Sequence, residues 1–124
     1  MVQFMWVVGL GACGVGLRYL AVYFLGRLGG DSGLWVIFVT NILGSFVIGA
    51  LYSLRSFFPV SQTMMLAVSV GFLGGLTTFS AFAWDTLHLW LNHEVWKALS
   101  YGLLTPVAAV FSCWAGYQLI KFIF

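Results

Sequence analysis

Asn41 stands inside the apolar run VTNILGSFVIG, where an amide has little company of its own kind. With Ser45 and Gly49 it recurs at i, i+4 and i+8, which on a helix makes one small, polar stripe. An amide at membrane depth is costly unless paired, so it either bonds a neighbouring helix or lines a pathway. Glue between helices is the plain reading of a lone asparagine. A second sparse polar stripe, Tyr101, Thr105 and Ser112 at spacings of four and seven, moves the balance towards a pore wall. The combined lining offers an amide NH2, hydroxyls and a phenol, with Arg18 as the one fixed charge and no carboxylate. Such a donor-rich surface favours an anion over a cation.

The stretch GFLGGLTTFSAF, residues 71–82, carries chemistry of the backbone itself. Gly71, Gly74, Gly75 and the Thr77–Thr78 pair are poor helix interior, each glycine costing about 1 kcal/mol against alanine. In a membrane an open backbone survives only where protein buries it or a polar cavity adjoins it. The pattern predicts a helix that stops near Phe72 and resumes near Thr77 or Thr78. Its freed carbonyls and half-helix N-terminus would suit small ions. Phe79 and Phe82, at i and i+3, share a face just past the break. Most such pairs are core, yet the positive edge of an aromatic ring can help solvate a small anion.

Enzyme chemistry finds less support. Asp85 and His88 at i, i+3, with His93 and Glu94 nearby, are residue types of a metal site or an acid–base pair. There are only two histidines and no HExxH or CxxC spacing, and the cluster falls where a span leaves the membrane. An interfacial polar cap is the simpler reading. Cys13 and Cys113, both in apolar stretches, read as packing residues rather than a disulfide or a metal pair.

The elements that must hold these residues follow from composition. Of 124 residues 62% are hydrophobic and 6% charged, where a soluble domain carries about 25% charged residues. The expected fold is therefore an all-α integral membrane protein of one domain, with no evident cleavable signal peptide and no room for a soluble module. Four transmembrane helices are expected over about 3–25, 34–54, 62–92 and 95–122, the third broken at its centre near 73–77. Gly11, Gly14 and Arg18 lie at i, i+3 and i+7 on one face of the first, which turns the guanidinium towards packing rather than lipid. Pro106 predicts a kink or local opening in the fourth. A net charge of +2 with no basic run gives no sign of a nucleic-acid partner.

With four spans both termini share one side, which holds Arg55 and Lys121, while the other holds Arg27 and Lys97, with Arg18 if it snorkels. Excess Lys and Arg on the cytoplasmic side normally sets orientation, and here the excess is close to nothing. A chain without bias can insert both ways and pair with an inverted copy of itself, reproducing the inverted-repeat logic of larger transporters.

GFLGGLTTFSAF, the second-span run VTNILGSFVIG and the first-span run GACGVGLRY together resemble the Fluc (CrcB) family of fluoride channels, in the family's order and over essentially the whole chain. The resemblance implies an antiparallel, dual-topology homodimer with two fluoride pathways and a central structural sodium ion. Asn41 matches the family's pore-lining asparagine, and Phe79 and Phe82 its paired phenylalanines. Thr78 and Ser80 fall in its TTFS segment, whose hydroxyls lie near the path. Gly74 and Thr77 match the positions whose backbone carbonyls, from both subunits, hold the sodium. Tyr101 and Thr105 look like its polar track on the fourth helix. Ala109 stands where that track has a third hydroxyl, with Ser112 as the candidate replacement. Arg18 matches the arginine of the first helix.

The expected function is thus a passive fluoride-selective channel of the cell (inner) membrane that exports fluoride and confers fluoride resistance. Two other readings compete. A small dual-topology secondary transporter, of the fluoride/proton or multidrug-exporter type, would need an intramembrane carboxylate for proton exchange. A non-transporting membrane scaffold would leave the break in the third helix unexplained.

Overall fold

The computed structural model describes all 124 residues. It has four helical spans long and apolar enough to cross a membrane, Val2–Leu28, Ser32–Leu54, Gln62–Leu91 and Val95–Ile123. No strand is present. The ends of the spans follow local chemistry. Gly29 and Gly30 take positive φ in the turn after the first span, conformations that cost glycine nothing. Ser61 caps the third span by accepting from the Met64 N–H at 3.2 Å. At its far end Glu94 N–H bonds Leu89 O and His93 N–H bonds Trp90 O, the paired bonds of a Schellman turn. His93 takes the left-handed conformation there, φ 63°, a position that glycine usually fills.

Only 16 of 124 residues are buried, so side-chain burial inside one chain is not what joins the spans. The large apolar residues mostly face outwards, as lipid-exposed helices require. The spans meet instead through backbones brought close by glycine. A Cβ on Gly14 would land on the Phe72 carbonyl, one on Gly49 on the Cys113 carbonyl, and one on Gly116 on the Phe46 carbonyl. The first span thereby lies on the third, and the second on the fourth.

The third span departs from regular α-helix. After Gln62–Leu66 the chain winds as a π-helix through Ala67–Leu73, then makes one α-turn at Gly74–Leu76. Thr77 and Thr78 are extended (φ −82°, ψ 155° and φ −152°, ψ 122°), and α-helix resumes over Phe79–Leu91. The glycine cluster therefore stays helical, and the extended residues are the two threonines. The reason is packing: Cβ atoms at Gly71 and Gly75 would meet the Val7 and Gly11 carbonyls of the first span at 2.6 and 2.5 Å. Those glycines serve close approach, whereas β-branched Thr77 and Thr78 suit extended backbone.

The fourth span stays helical through Pro106. At that residue the Gly102 carbonyl has no N–H of Pro106 to accept from, and the helix continues on both sides.

Candidate functional site

The extended pair is held by one side chain. Asn41 Nδ2 donates to the Thr78 carbonyl at 3.1 Å, and the Thr78 N–H donates to Asn41 Oδ1 at 2.8 Å. The amide of the second span thus satisfies both peptide groups of a residue outside any helix. Thr78 in turn caps the second half of the span, its Oγ1 accepting from the Ala81 N–H at 3.2 Å and sharing a 3.1 Å bond with Ser80 Oγ. Thr77 Oγ1 donates back to the Leu73 carbonyl at 2.8 Å.

These bonds leave carbonyls without their helical donors. Thr78 N–H, the i+4 partner of the Gly74 carbonyl, is taken by Asn41, and Ala81 N–H, the i+4 partner of the Thr77 carbonyl, is taken by Thr78 Oγ1. Gly74 is exposed and Thr77 half-buried. Both are neutral, hard oxygen donors. No group of His, Cys, Asp and Glu suited to a metal exists in the chain.

A cavity of about 390 Å3 opens beside the extended pair, lined among others by Asn41, Gly74, Thr77, Thr78, Phe79 and Phe82. Thr105 and Ala109 of the fourth span also border it. The two phenylalanine rings lie 5.3 Å apart at 51°, and Phe82 meets the Tyr101 ring at 5.3 Å and 44°. Their settings differ: Phe79 is 76% exposed and Phe82 only 8%. Thr105 Oγ1 and the Tyr101 hydroxyl are buried without a partner in the chain. Tyr101 borders an adjoining cavity of about 240 Å3, which shares Thr105 with the first.

The family model for CrcB-like protein, Camphor Resistance (CrcB), matches residues 5–117. The chain belongs to the CrcB family. Curated relatives named fluoride-specific ion channel FluC include one from a Chelativorans species, 37% identical over 90% of both chains. Another, from Shewanella frigidimarina, is 38% identical over 89% of both, and a third, from Citrifermentans bemidjiense, is 32% identical over 98% of both. The match runs through all the residues above, so the CrcB resemblance of the three motifs extends to the chain as a whole.

Within this CrcB fold not every expected pathway residue comes to the cavity. Ser112 Oγ donates to the Ile42 carbonyl at 2.9 Å and does not line the cavity. Its place on the fourth-span wall is taken by Ala109, one turn from Thr105, and Ser112 joins the second and fourth spans. Ser80 is exposed and reaches the site only through Thr78. Arg18 borders a separate cavity of about 580 Å3 with Asp85, His88 and Asn92, which Asn41 does not line. Asn92 Nδ2 lies 3.2 Å from His88 Nε2, as suits a polar cap at the membrane edge.

Ser69 was not foreseen. It is 8% exposed, borders the Asn41 cavity and donates to the Met65 carbonyl at 2.6 Å. A single serine in the run MLAVSVGF is the only mark it leaves in the sequence.

Proposed function

We propose that the chain is a passive fluoride-selective channel of the inner cell membrane, working as an antiparallel dual-topology homodimer that exports fluoride. The observation that carries this reading is the Asn41–Thr78 clamp beside the Phe79–Phe82 pair in one cavity, in a member of a family whose relatives bear the name fluoride-specific ion channel. Asn41 keeps a second amide proton beyond the one given to Thr78, and the Thr105 hydroxyl is unclaimed. These donors replace part of the anion's water. The ring edges of Phe79 and Phe82 add weak positive potential without a fixed charge, so fluoride can leave as readily as it enters. A larger halide would pull the same donors out of reach.

None of the cavity's lining side chains is acidic, which disfavours a proton-coupled exporter. Pairing with an inverted copy is supported by the even Lys/Arg distribution and by the exposure of Phe79 and Gly74, which border the cavity. In that pair the Gly74 and Thr77 carbonyls of both copies would meet to hold a structural sodium, which supplies compensation for carbonyls that would otherwise be buried unpaired at the break in the third helix. Phe79, Phe82, Thr78, Ser80, Tyr101, Thr105 and Asn41 belong to the pathway on this reading.

The test is fluoride efflux from liposomes carrying the purified protein, with chloride as the paired control and a potassium ionophore clamping voltage. Fast release of fluoride but not chloride is expected. Release only under a proton gradient would make it a transporter, and no release from an intact dimer would favour the scaffold.

A further inference from the structure

We propose that Ser45 supplies the hydrogen-bond donor that carries the anion onward from Asn41, on a stretch where the fourth span offers none. The inference rests on the fluoride-channel reading above.

A dehydrated anion needs a proton donor at each step of its path. The donors around the cavity can be counted. Thr77 Oγ1 gives its proton to the Leu73 carbonyl, and Ser69 Oγ gives its own to the Met65 carbonyl. The Thr78 hydroxyl accepts from the Ala81 N–H and shares one bond with Ser80, which leaves that pair one proton, and Asn41 has committed one amide proton to Thr78. Two hydroxyls remain unclaimed: that of Thr105, buried without a partner, and that of Ser45, which borders the cavity half-buried and makes no hydrogen bond within the chain.

Position orders these two donors. The second and fourth spans run side by side in the same direction, with Ser112 on the Ile42 carbonyl and Gly116 against Phe46. On that register Thr105 comes before Asn41, and Ser45 comes one turn after it on the same face. Beyond Thr105 the fourth span shows the cavity only Pro106 and Ala109, which carry no side-chain donor. An anion leaving Asn41 away from Thr105 therefore meets Ser45 next. Ser69 also borders the cavity, but with its proton on Met65 it presents oxygen lone pairs, which an anion avoids.

Fluoride efflux from voltage-clamped liposomes tests this with wild type, Ser45→Ala, Ser45→Thr and Ser69→Ala. Loss of one hydrogen bond to an ion predicts about tenfold slower efflux for Ser45→Ala, with Ser45→Thr and Ser69→Ala within about twofold of wild type. Adding Ala109→Ser to Ser45→Ala returns a donor from the facing span and should recover at least about half of the lost rate. A purely packing role for Ser45 would not be repaired by a hydroxyl on another helix. Should Ser45→Ala fail to assemble on size exclusion, Ser45→Cys keeps the shape with a weak donor and is expected to be several-fold slow. A wild-type rate in Ser45→Ala or Ser45→Cys overturns the assignment, as does a double variant no faster than Ser45→Ala. Wild-type liposomes separate the two claims: if they release no fluoride, the channel reading fails rather than the role of Ser45 within it.

Discussion

The stretch 71–82 has two halves that look alike on paper and behave differently in the fold. In Gly71–Gly75 the absent side chains let the third span lie directly on the first, backbone against backbone. In the half from Thr77 to Phe82 the chain leaves the helix, is pinned by Asn41, and turns two rings to a cavity. In the first half Gly71 and Gly75 admit nothing larger than hydrogen, whereas the second half is a working surface. Small and polar residues clustered in a membrane helix can therefore report either packing or solvation, and their neighbours on other spans decide which.

Adjacent glycines give the sharpest way to break that division. Gly75→Val would drive a side chain into the Gly11 carbonyl and the Val15 N–H, and we expect little or no assembled protein after extraction. Gly74→Ala meets only the Ser69 carbonyl at 3.7 Å, an ordinary contact, so the chain should keep its helicity by circular dichroism while, on the proposed function, fluoride efflux changes. Equal damage from both would erase the distinction.

Within the working surface the largest loss is expected at Asn41. Asn41→Asp puts a negative charge at the cavity and an acceptor against the Thr78 carbonyl, and on the proposed function should cut fluoride flux by more than about tenfold. An unchanged rate would remove Asn41 from the path. The two rings should then separate. Phe82→Ile, at an 8% exposed site, should lower stability by about 1 kcal/mol as well as flux, whereas Phe79→Ile, at a 76% exposed site, should lower flux with the fold of the chain unaffected. Thermal unfolding monitored alongside efflux distinguishes them. The smallest effect is expected far from both halves. Lys97 bridges Asp31 at 3.0 Å and Glu94 at 2.6 Å in the open, so Lys97→Met should leave efflux unchanged and any change in unfolding temperature should vanish in high salt.

Much of this arrangement was legible beforehand. The four apolar runs became four helices long enough to span, because the length of an apolar run is decided by the thickness of the membrane rather than by any partner. Asn41, Thr78, Phe79 and Phe82 converge as their motifs suggest. Helix phase beyond one turn was less readable: Ser112, at i+7 from Thr105, fell onto the Ile42 carbonyl while Ala109, at i+4, faced the cavity. Nor could spacing show that the glycines would remain helical, since that depends on Val7 and Gly11 of the first span. The π-helix through Ala67–Leu73 has no periodic signature, and Ser69 came into view only with it.

The two bonds between Asn41 and Thr78 have one more consequence. A side-chain amide presents the same donor and acceptor as a peptide unit, so Asn41 acts as a spliced-in length of backbone from another helix. Protection from deuterium should then follow the splice rather than the helices: the Thr78 amide, in extended chain, should exchange more slowly than the amides of Phe79 and Ser80 in the first helical turn beside it.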